Sequence, residues 1–478
     1  MKTETIAAIA TAMSDSGIGI IRISGEDAVS IIDKIYCSKN KKKKLSQVKS
    51  HTIHYGFIYD GEELIDEVMV AVMKGPHSYT TEDTVEINCH GGILLMNRIL
   101  GVVLKNGARI AEPGEFTKRA FLNGRIDLSK AEAVMDVIQS KNEFALKSSM
   151  NQLNGSIYKK IKELREEIIF EIAFIESALD DPEHISTEGY HEKLTVKIED
   201  LTKRIFKLIL SSENGKILKE GINTVIVGKP NVGKSSLLNL LAGEEKAIVT
   251  DIAGTTRDAL EETIKLHGIS LNIIDTAGIR STEDAVEKIG VEKAKKYAKS
   301  ADLIVYVVDS SVDLDESDED IMEMIKEKNT IILLNKTDLD PVITEDDLCK
   351  KLDDLQKESS INIDSGIGLK NRKYKIIKTS TKENIGIDDF EDMVKEMFFH
   401  HELKFNDEVF ITNMRHKEAL QDAYDSLLLV KRSLEDRMPE DFYSIDLMNA
   451  YTSLGIIIGE EVKDDLVNEI FSKFCMGK

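Results

Sequence analysis

Thr224-Val225-Ile226-Val227-Gly228-Lys229-Pro230-Asn231-Val232-Gly233-Lys234-Ser235-Ser236-Leu237-Leu238-Asn239-Leu240-Leu241 is the stretch that decides the fold. Residues 224–227 are apolar and β-branched, the composition of a buried strand. Residues 236–241 read as the opening of a helix whose N-terminus faces the loop before it. Between them, Gly228 to Ser235 fits G-x-x-x-x-G-K-[ST]. Gly228 and Gly233 let the backbone curl until several N–H groups point at one anion. Lys234 brings a point charge to β- and γ-phosphates, and the Ser235 hydroxyl is placed to ligate Mg²⁺. Strand, glycine loop and helix in this order predict a nucleotide phosphate site.

Working outward, residues 220–395 alternate strand-like and helix-like patterns, as a doubly wound parallel sheet requires. Strands are expected at 224–227, 271–274, 303–308, 330–334 and 374–377. Three strand ends carry further polar elements in order. Asp275-Thr276-Ala277-Gly278 offers a carboxylate that can hold Mg²⁺ through water and a glycine amide that can meet the γ-phosphate. Asn335-Lys336-Thr337-Asp338 fits N-K-x-D, in which a carboxylate accepts from the guanine ring N1–H and 2-amino group. Adenine offers no such donor pair. Ser380-Thr381-Lys382 can supply a backbone contact to the guanine oxygen. Together they specify GTP rather than ATP. The position that holds a water-orienting glutamine in Ras-like proteins is Ile279, so another group must do that work. Asn231 has a side-chain carbonyl able to ligate a monovalent cation. Gly254-Thr255-Thr256-Arg257-Asp258 reads as a switch segment, and the loop before it, Thr250-Asp251-Ile252-Ala253, can offer carbonyl oxygens to such a cation.

The rest of the chain divides by periodicity. Residues 1–122 mix short β-like runs (19–25, 68–73 and 84–88) with a helical pattern at 93–104, an α+β domain in outline. From 123 to 219 the pattern is helical. Ile161, Leu164, Ile168, Ile172, Ile175 and Leu179 make one stripe, ended by Asp180-Asp181-Pro182. Leu194, Ile198, Leu201, Ile205 and Leu208 make a second. Helical character returns after 402, with Leu420, Leu427 and Leu434 on one face and a last helix carrying Leu466, Ile470, Phe471 and Phe474. One helical domain interrupted by the nucleotide domain, or two separate helical domains, would look alike at this level. The expected architecture is multidomain: an N-terminal α+β domain (1–122), a discontinuous α-helical domain (123–219 and 396–478), and an inserted α/β P-loop G domain with a Ras-like doubly wound sheet (220–395).

The 478 residues suit about three domains. A net charge of −22 argues against nucleic-acid binding over the whole surface, without excluding a local basic site. Lys39 and Lys41 to Lys44 read as a solvated loop, and the acids between Asp313 and Asp320 as the cap of a surface helix. No apolar run approaches the ~20 residues of a membrane span, and no secretory signal is evident. The four cysteines show no metal-ligand spacing and read as free thiols in a reducing cytoplasm.

At this point the chain resembles the family of tRNA-modifying GTPases called MnmE or TrmE. The resemblance runs over essentially the whole length. It includes Pro113-Gly114-Glu115-Phe116-Thr117-Lys118-Arg119-Ala120-Phe121-Leu122-Asn123-Gly124-Arg125-Ile126-Asp127-Leu128 and the terminal Cys475-Met476-Gly477-Lys478. It implies a potassium-activated GTPase, with K⁺ against Asn231, the Thr250 and Ile252 carbonyls and Thr255, and Mg²⁺ on Ser235 and Thr256. Glu287 matches the family's catalytic glutamate, although alone it reads as a solvated helix charge. Lys234 joins it in catalysis. The GTP site would comprise Asn231, Val232, Gly233, Lys234, Ser235, Ser236, the segment Thr250 to Thr256, Asp275 to Gly278, Asn335, Lys336, Asp338, and Ser380 to Lys382.

The resemblance further implies an N-terminal domain that binds 5-formyltetrahydrofolate or a related tetrahydrofolate and forms a homodimer. Arg22, Glu86, Arg125 and Lys478 are the matching positions. Cys475 is either a chemically active thiol beside that site or a buried one on the last helix. With a flavin-dependent partner protein (MnmG/GidA type) and tRNA as substrate, the product would be an aminomethyl or carboxymethylaminomethyl group at C5 of wobble uridine U34. No membrane is involved, and the cytoplasm is the expected location. Two departures stand out: residues 11–17 lack the proline- and glycine-rich composition usual there, and Met476 replaces a branched aliphatic residue. The alternative is a GTP-dependent RNA or ribosome-assembly switch without one-carbon chemistry. Such switches usually carry an RNA-binding appendage, and no KH-like G-x-x-G loop is evident in this chain.

Overall fold

A computed structural model describes residues 4–39, 43–244, 262–266, 269–274, 297–299, 301–326, 328–358, 374–399, 410–460, 462–475 and 477. The chain forms two units. One comprises Met1–Gln139, Ser149–Phe206 and Glu418–Lys478; the other comprises Ser140–Ser148 and Lys207–Lys417.

The first unit contains a seven-stranded sheet in the order β3-β4-β5-β6-β2-β1-β7. Its strands are β1 (Ile6–Ile9), β2 (Ser16–Ser24), β3 (Tyr36–Ser38), β4 (Thr52–Asp60), β5 (Glu63–Met73), β6 (Thr84–Gly91) and β7 (Arg109–Ile110). Neighbours are antiparallel except β1 and β7. Side chains alternate between faces along each strand. Thus Val68, Val70 and Val72 are buried while Met69 is exposed. Ile31, Ile32, Met96, Ile99 and Val103, from the helices Ala28–Ile35 and Ile93–Lys105, join these valines in one core. The same alternation puts Arg22 on the opposite face, between core residues Ile21 and Ile23, and register sets it opposite Glu86.

The helical part of this unit resolves the ambiguity left by periodicity. An amphipathic helix cannot bury its stripe alone. Ile161, Leu164, Ile168, Ile172 and Ile175 of the helix Ser156–Asp180 are all buried, as are Leu447, Leu454 and Ile457 of Glu440–Ile458. Arg165 bonds Glu460, and its guanidinium lies 3.9 Å from the centre of the Tyr451 ring. Phe206 stacks on Tyr424 at 5.5 Å, and Lys431 pairs with Glu199. Segments more than 200 residues apart in sequence therefore build one discontinuous helical body. Leu179 departs from the expected stripe: in the last turn before the Asp181-Pro182 break it is half exposed.

The second unit holds a six-stranded sheet in the order β13-β12-β11-β8-β10-β9. The strands are β8 (Ile222–Val227), β9 (Glu262–Leu266), β10 (Ile269–Ile273), β11 (Leu303–Asp309), β12 (Thr330–Asn335) and β13 (Tyr374–Lys378). Five of the six correspond to expected strands; the exception, β9, pairs antiparallel with β10 at the sheet edge. The other pairs are parallel. Every residue of β11 and β12 is buried, as befits central strands covered on both faces. The helix Lys234–Glu244 begins two residues before the expected run. Asp315 and Asp318 form a reciprocal capping box at the helix Glu316–Ile325, which is how that acidic cluster is used. The acidic stretch Glu345–Glu358 is also a helix.

Candidate functional site

The parallel strands β8, β11 and β12, together with β13, end on one edge of their sheet, where open α/β sheets take ligands. The loop after β8 has the backbone that its glycines permit. Gly228 has φ 149° and Gly233 φ 107°. A Cβ on Gly233 would lie 2.2 Å from Asn335 Nδ2, and one on Gly228 would lie 2.4 Å from the Val307 carbonyl. Asn231 also has left-handed φ, 61°, and is exposed. Lys234 is half-buried, and its ammonium donates to the carbonyls of Gly228 (2.7 Å) and Lys229 (2.6 Å). Burial lowers its pKa. Val232 is buried, while Ser235 and Ser236 are exposed at the helix start.

Asn335 at the end of β12 braces the site. Its Nδ2 donates to the Val232 carbonyl at 2.8 Å, and its Oδ1 accepts from the Thr381 amide at 3.1 Å. One fully buried side chain thus joins the phosphate loop to the loop after β13. Within the segment Ser380-Thr381-Lys382, the Thr381 amide is therefore bonded to Asn335. Lys336, at φ 62°, pairs with Asp309 at 2.5 Å. Asp338 accepts from the Ser380 hydroxyl at 2.7 Å, and Lys382 lies 3.8 Å away. The Ser380 hydrogen bond holds the Asp338 carboxyl below its ordinary pKa, so it is a charged acceptor at neutral pH. Lys229 also has a partner that the motif did not announce: its ammonium lies 2.6 Å from Asp318 and 3.0 Å from Asp315.

The second cluster lies in the first unit. Arg22 Nε donates to Glu86 Oε1 at 2.8 Å, and Arg22 Nη1 donates to the Gly477 carbonyl at 3.0 Å. Gly477 has φ 87°, and a Cβ there would lie 2.4 Å from the Ile9 carbonyl. The Gly114 amide donates to the Cys475 carbonyl at 3.3 Å, so the C-terminal segment is held at two points. Cys475 itself is exposed, not buried on the last helix. The Tyr79 ring lies 5.8 Å from the Arg22 guanidinium and 4.8 Å from that of Arg125. The structure therefore brings Arg22, Glu86 and Arg125 together around an aromatic ring. Phe116, 5.7 Å from Arg22, lies in the run Pro113–Leu128, but an apolar side chain there reads as core; Tyr79 lies in no periodic pattern or charged motif, so neither was legible as a site residue. Asp309 was the more findable omission, an acid directly ending an apolar strand.

Several expected site residues lie outside the described residues: Thr250, Asp251, Ile252, Ala253, Gly254, Thr255, Thr256, Asp275, Thr276, Ala277, Gly278, Glu287 and Lys478. Among the described residues, no helix is long and apolar enough to cross a membrane.

Comparison with known proteins adds the family. The model for the GTP-binding protein TrmE N-terminus matches residues 5–125, and the model for the MnmE helical domain matches residues 128–475. A tRNA modification GTPase MnmE from Lachnoclostridium phytofermentans is 58% identical over 478 residues, all of both chains. Proteins of the same name from Clostridioides difficile and Alkaliphilus metalliredigens are 49% and 48% identical, each match covering 99% of both chains. With full-length identity of this order and both family models matched in their expected order, the chain belongs to the family of tRNA modification GTPases MnmE.

Proposed function

We propose that this chain is a potassium-activated GTPase that, with a flavin-dependent partner protein, modifies C5 of the tRNA wobble uridine using a tetrahydrofolate one-carbon unit. The coarser statement, a GTPase of tRNA modification, follows from family membership. The observation that carries the GTP reading is the edge where Lys234, Asn335 and the charged Asp338 converge. Lys234 would meet the β- and γ-phosphates, and Asp338 would accept from the guanine N1–H and 2-amino group. Ser235 and Thr256 would hold Mg²⁺. The exposed, left-handed Asn231 suits a ligand to K⁺, with the Thr250 and Ile252 carbonyls and Thr255 as the others. That cation would supply the positive charge that an arginine finger supplies elsewhere. Glu287 would orient the attacking water through a second water. Two copies of the nucleotide domain meeting face to face would assemble these groups in a homodimer.

The one-carbon reading is supported by the Arg22–Glu86 pair and by the Gly477 carbonyl that accepts from Arg22. Glu86 would accept from the pterin N–H groups, while Arg22, Arg125 and Lys478 would meet its polar edge and glutamate tail. Cys475 would be a reactive thiol beside them. The test is mass analysis of wobble uridines from cells with and without this protein: the C5 modification should be lost, and unchanged uridines would overturn the reading. The cation is tested separately. GTPase rate in KCl should exceed that in NaCl at least tenfold, and Asn231→Ala should erase the difference. Equal rates in the two salts would remove K⁺ from the site.

A further inference from the structure

Beyond Arg125, the first unit opens into a concavity of about 670 Å³, within the roughly 300–1,000 Å³ of small-molecule sites. His51, His77, Ser78, Thr81, Asn123 and Arg125 are among its lining residues, and no carboxylate is. That composition stands out in a chain with 85 acidic and 63 basic side chains. Arg22, Arg109 and Arg119 each hold a carboxylate. Arg125, among the described residues, holds none and rests on the Tyr79 ring. A guanidinium left for an outside anion, flanked by two imidazoles and no competing acid, is a recognition site for carboxylates.

The contacts also give a direction. Glu86 touches Arg22, Arg22 stacks toward Tyr79, and Tyr79 carries Arg125 at the concavity's wall. We propose that this concavity binds the oligo-γ-glutamyl tail of the folate, its ring end toward Glu86 and its successive carboxylates toward Arg125, His77 and His51. The inference rests on the one-carbon reading and extends it to the form of the cofactor that the chain selects. Each added glutamate contributes one more anion to a pocket that lacks anions of its own. The preference should therefore grow with tail length and shrink with salt.

The test uses the full-length chain and two probes: 5-formyltetrahydrofolate with one glutamate and the same compound with four. The wild-type chain should bind the tetraglutamate at least tenfold more tightly in low salt. His51→Asp combined with His77→Glu should bring that ratio close to one. Both side chains are exposed, and aspartate suits the left-handed φ of 61° at position 51. A wild-type ratio near one, with both probes bound, overturns the tail site and leaves the one-carbon reading standing. A ratio that survives the double variant overturns the assignment to this concavity. Binding of neither probe removes the one-carbon reading itself.

Discussion

Glu115 is buried, yet it is charged: its carboxylate accepts from Arg109 at 2.6 and 2.8 Å, from Arg119 at 2.9 Å and from the Glu112 amide at 2.9 Å. Burial alone would raise its pKa, but the hydrogen bonds from Arg109, Glu112 and Arg119 outweigh it and bring it down to about 2 from 4.5. A carboxylate depressed on folding stabilises the native state above its unfolded pKa, and that contribution disappears as pH falls through the folded value. About 3 kcal/mol should therefore be present above pH ~4.5 and lost by pH ~2. Glu115→Gln should melt lower than wild type at pH 7, and its melting temperature should fall less steeply below pH 4.5. Parallel melting curves for the two proteins across that window would overturn this account. In the sequence, Glu115 and Arg119 lie in the run Pro113–Leu128. Their i,i+4 spacing makes a pair possible, but the contact of Arg119 with Glu82 depends on chain folding. Asn335 is a similar case. Its place in N-K-x-D was evident, whereas its role as a brace between Val232 and Thr381 required two distant loops to meet.

At the scale of elements, the phosphate loop is anchored to a neighbouring helix. Lys229 reaches Asp315 and Asp318 at the N-terminus of Glu316–Ile325, and Asp318 also accepts from the Tyr306 hydroxyl at 2.8 Å. Burial works against the Lys229 charge, but the hydrogen bonds to Asp318 and Asp315 prevail and raise its pKa. Removing the cation leaves Asp318, whose side chain is 2% exposed, as a buried charge held by one hydroxyl and its cap. Breaking a buried pair from one side costs about 3–5 kcal/mol. Lys229→Met should lower the unfolding free energy by that order in calorimetry, and adding Asp318→Asn should recover part of it. A Lys229→Met protein that melts like wild type would show that the anchor contributes nothing. This element pairing was hidden from the sequence, where Lys229 occupies an unfixed position of the loop motif. Strand β9 was hidden for a different reason. Among the described residues only β10 pairs with it, at the sheet edge, so the continuous apolar run that betrays a central strand is not required.

At the scale of the whole molecule, the C-terminal residues complete a cluster begun by the second strand. Gly477 is 455 residues from Arg22 in sequence and 3.0 Å from it in space. Removing residues 476–478 should weaken folate retention at least tenfold while shifting the melting temperature by no more than a few degrees, measured by equilibrium dialysis and calorimetry. Folate retained at the full-length level would exclude the tail from the site. The sequence by itself determined the α/β order of the second unit's sheet, its glycine loop and the place of its N-K-x-D element, because these depend on local periodicity and on residues adjacent in the chain. It also determined the apolar stripes of the helices, for the same reason. Only the tertiary structure decided that the two helical segments share one core, that Asn335 and Lys229 brace the phosphate loop, and that Tyr79 lies between Arg22 and Arg125. Those facts rest on burial and on contacts between distant segments, and such contacts exist only once hydrophobic faces with no local partner have found each other.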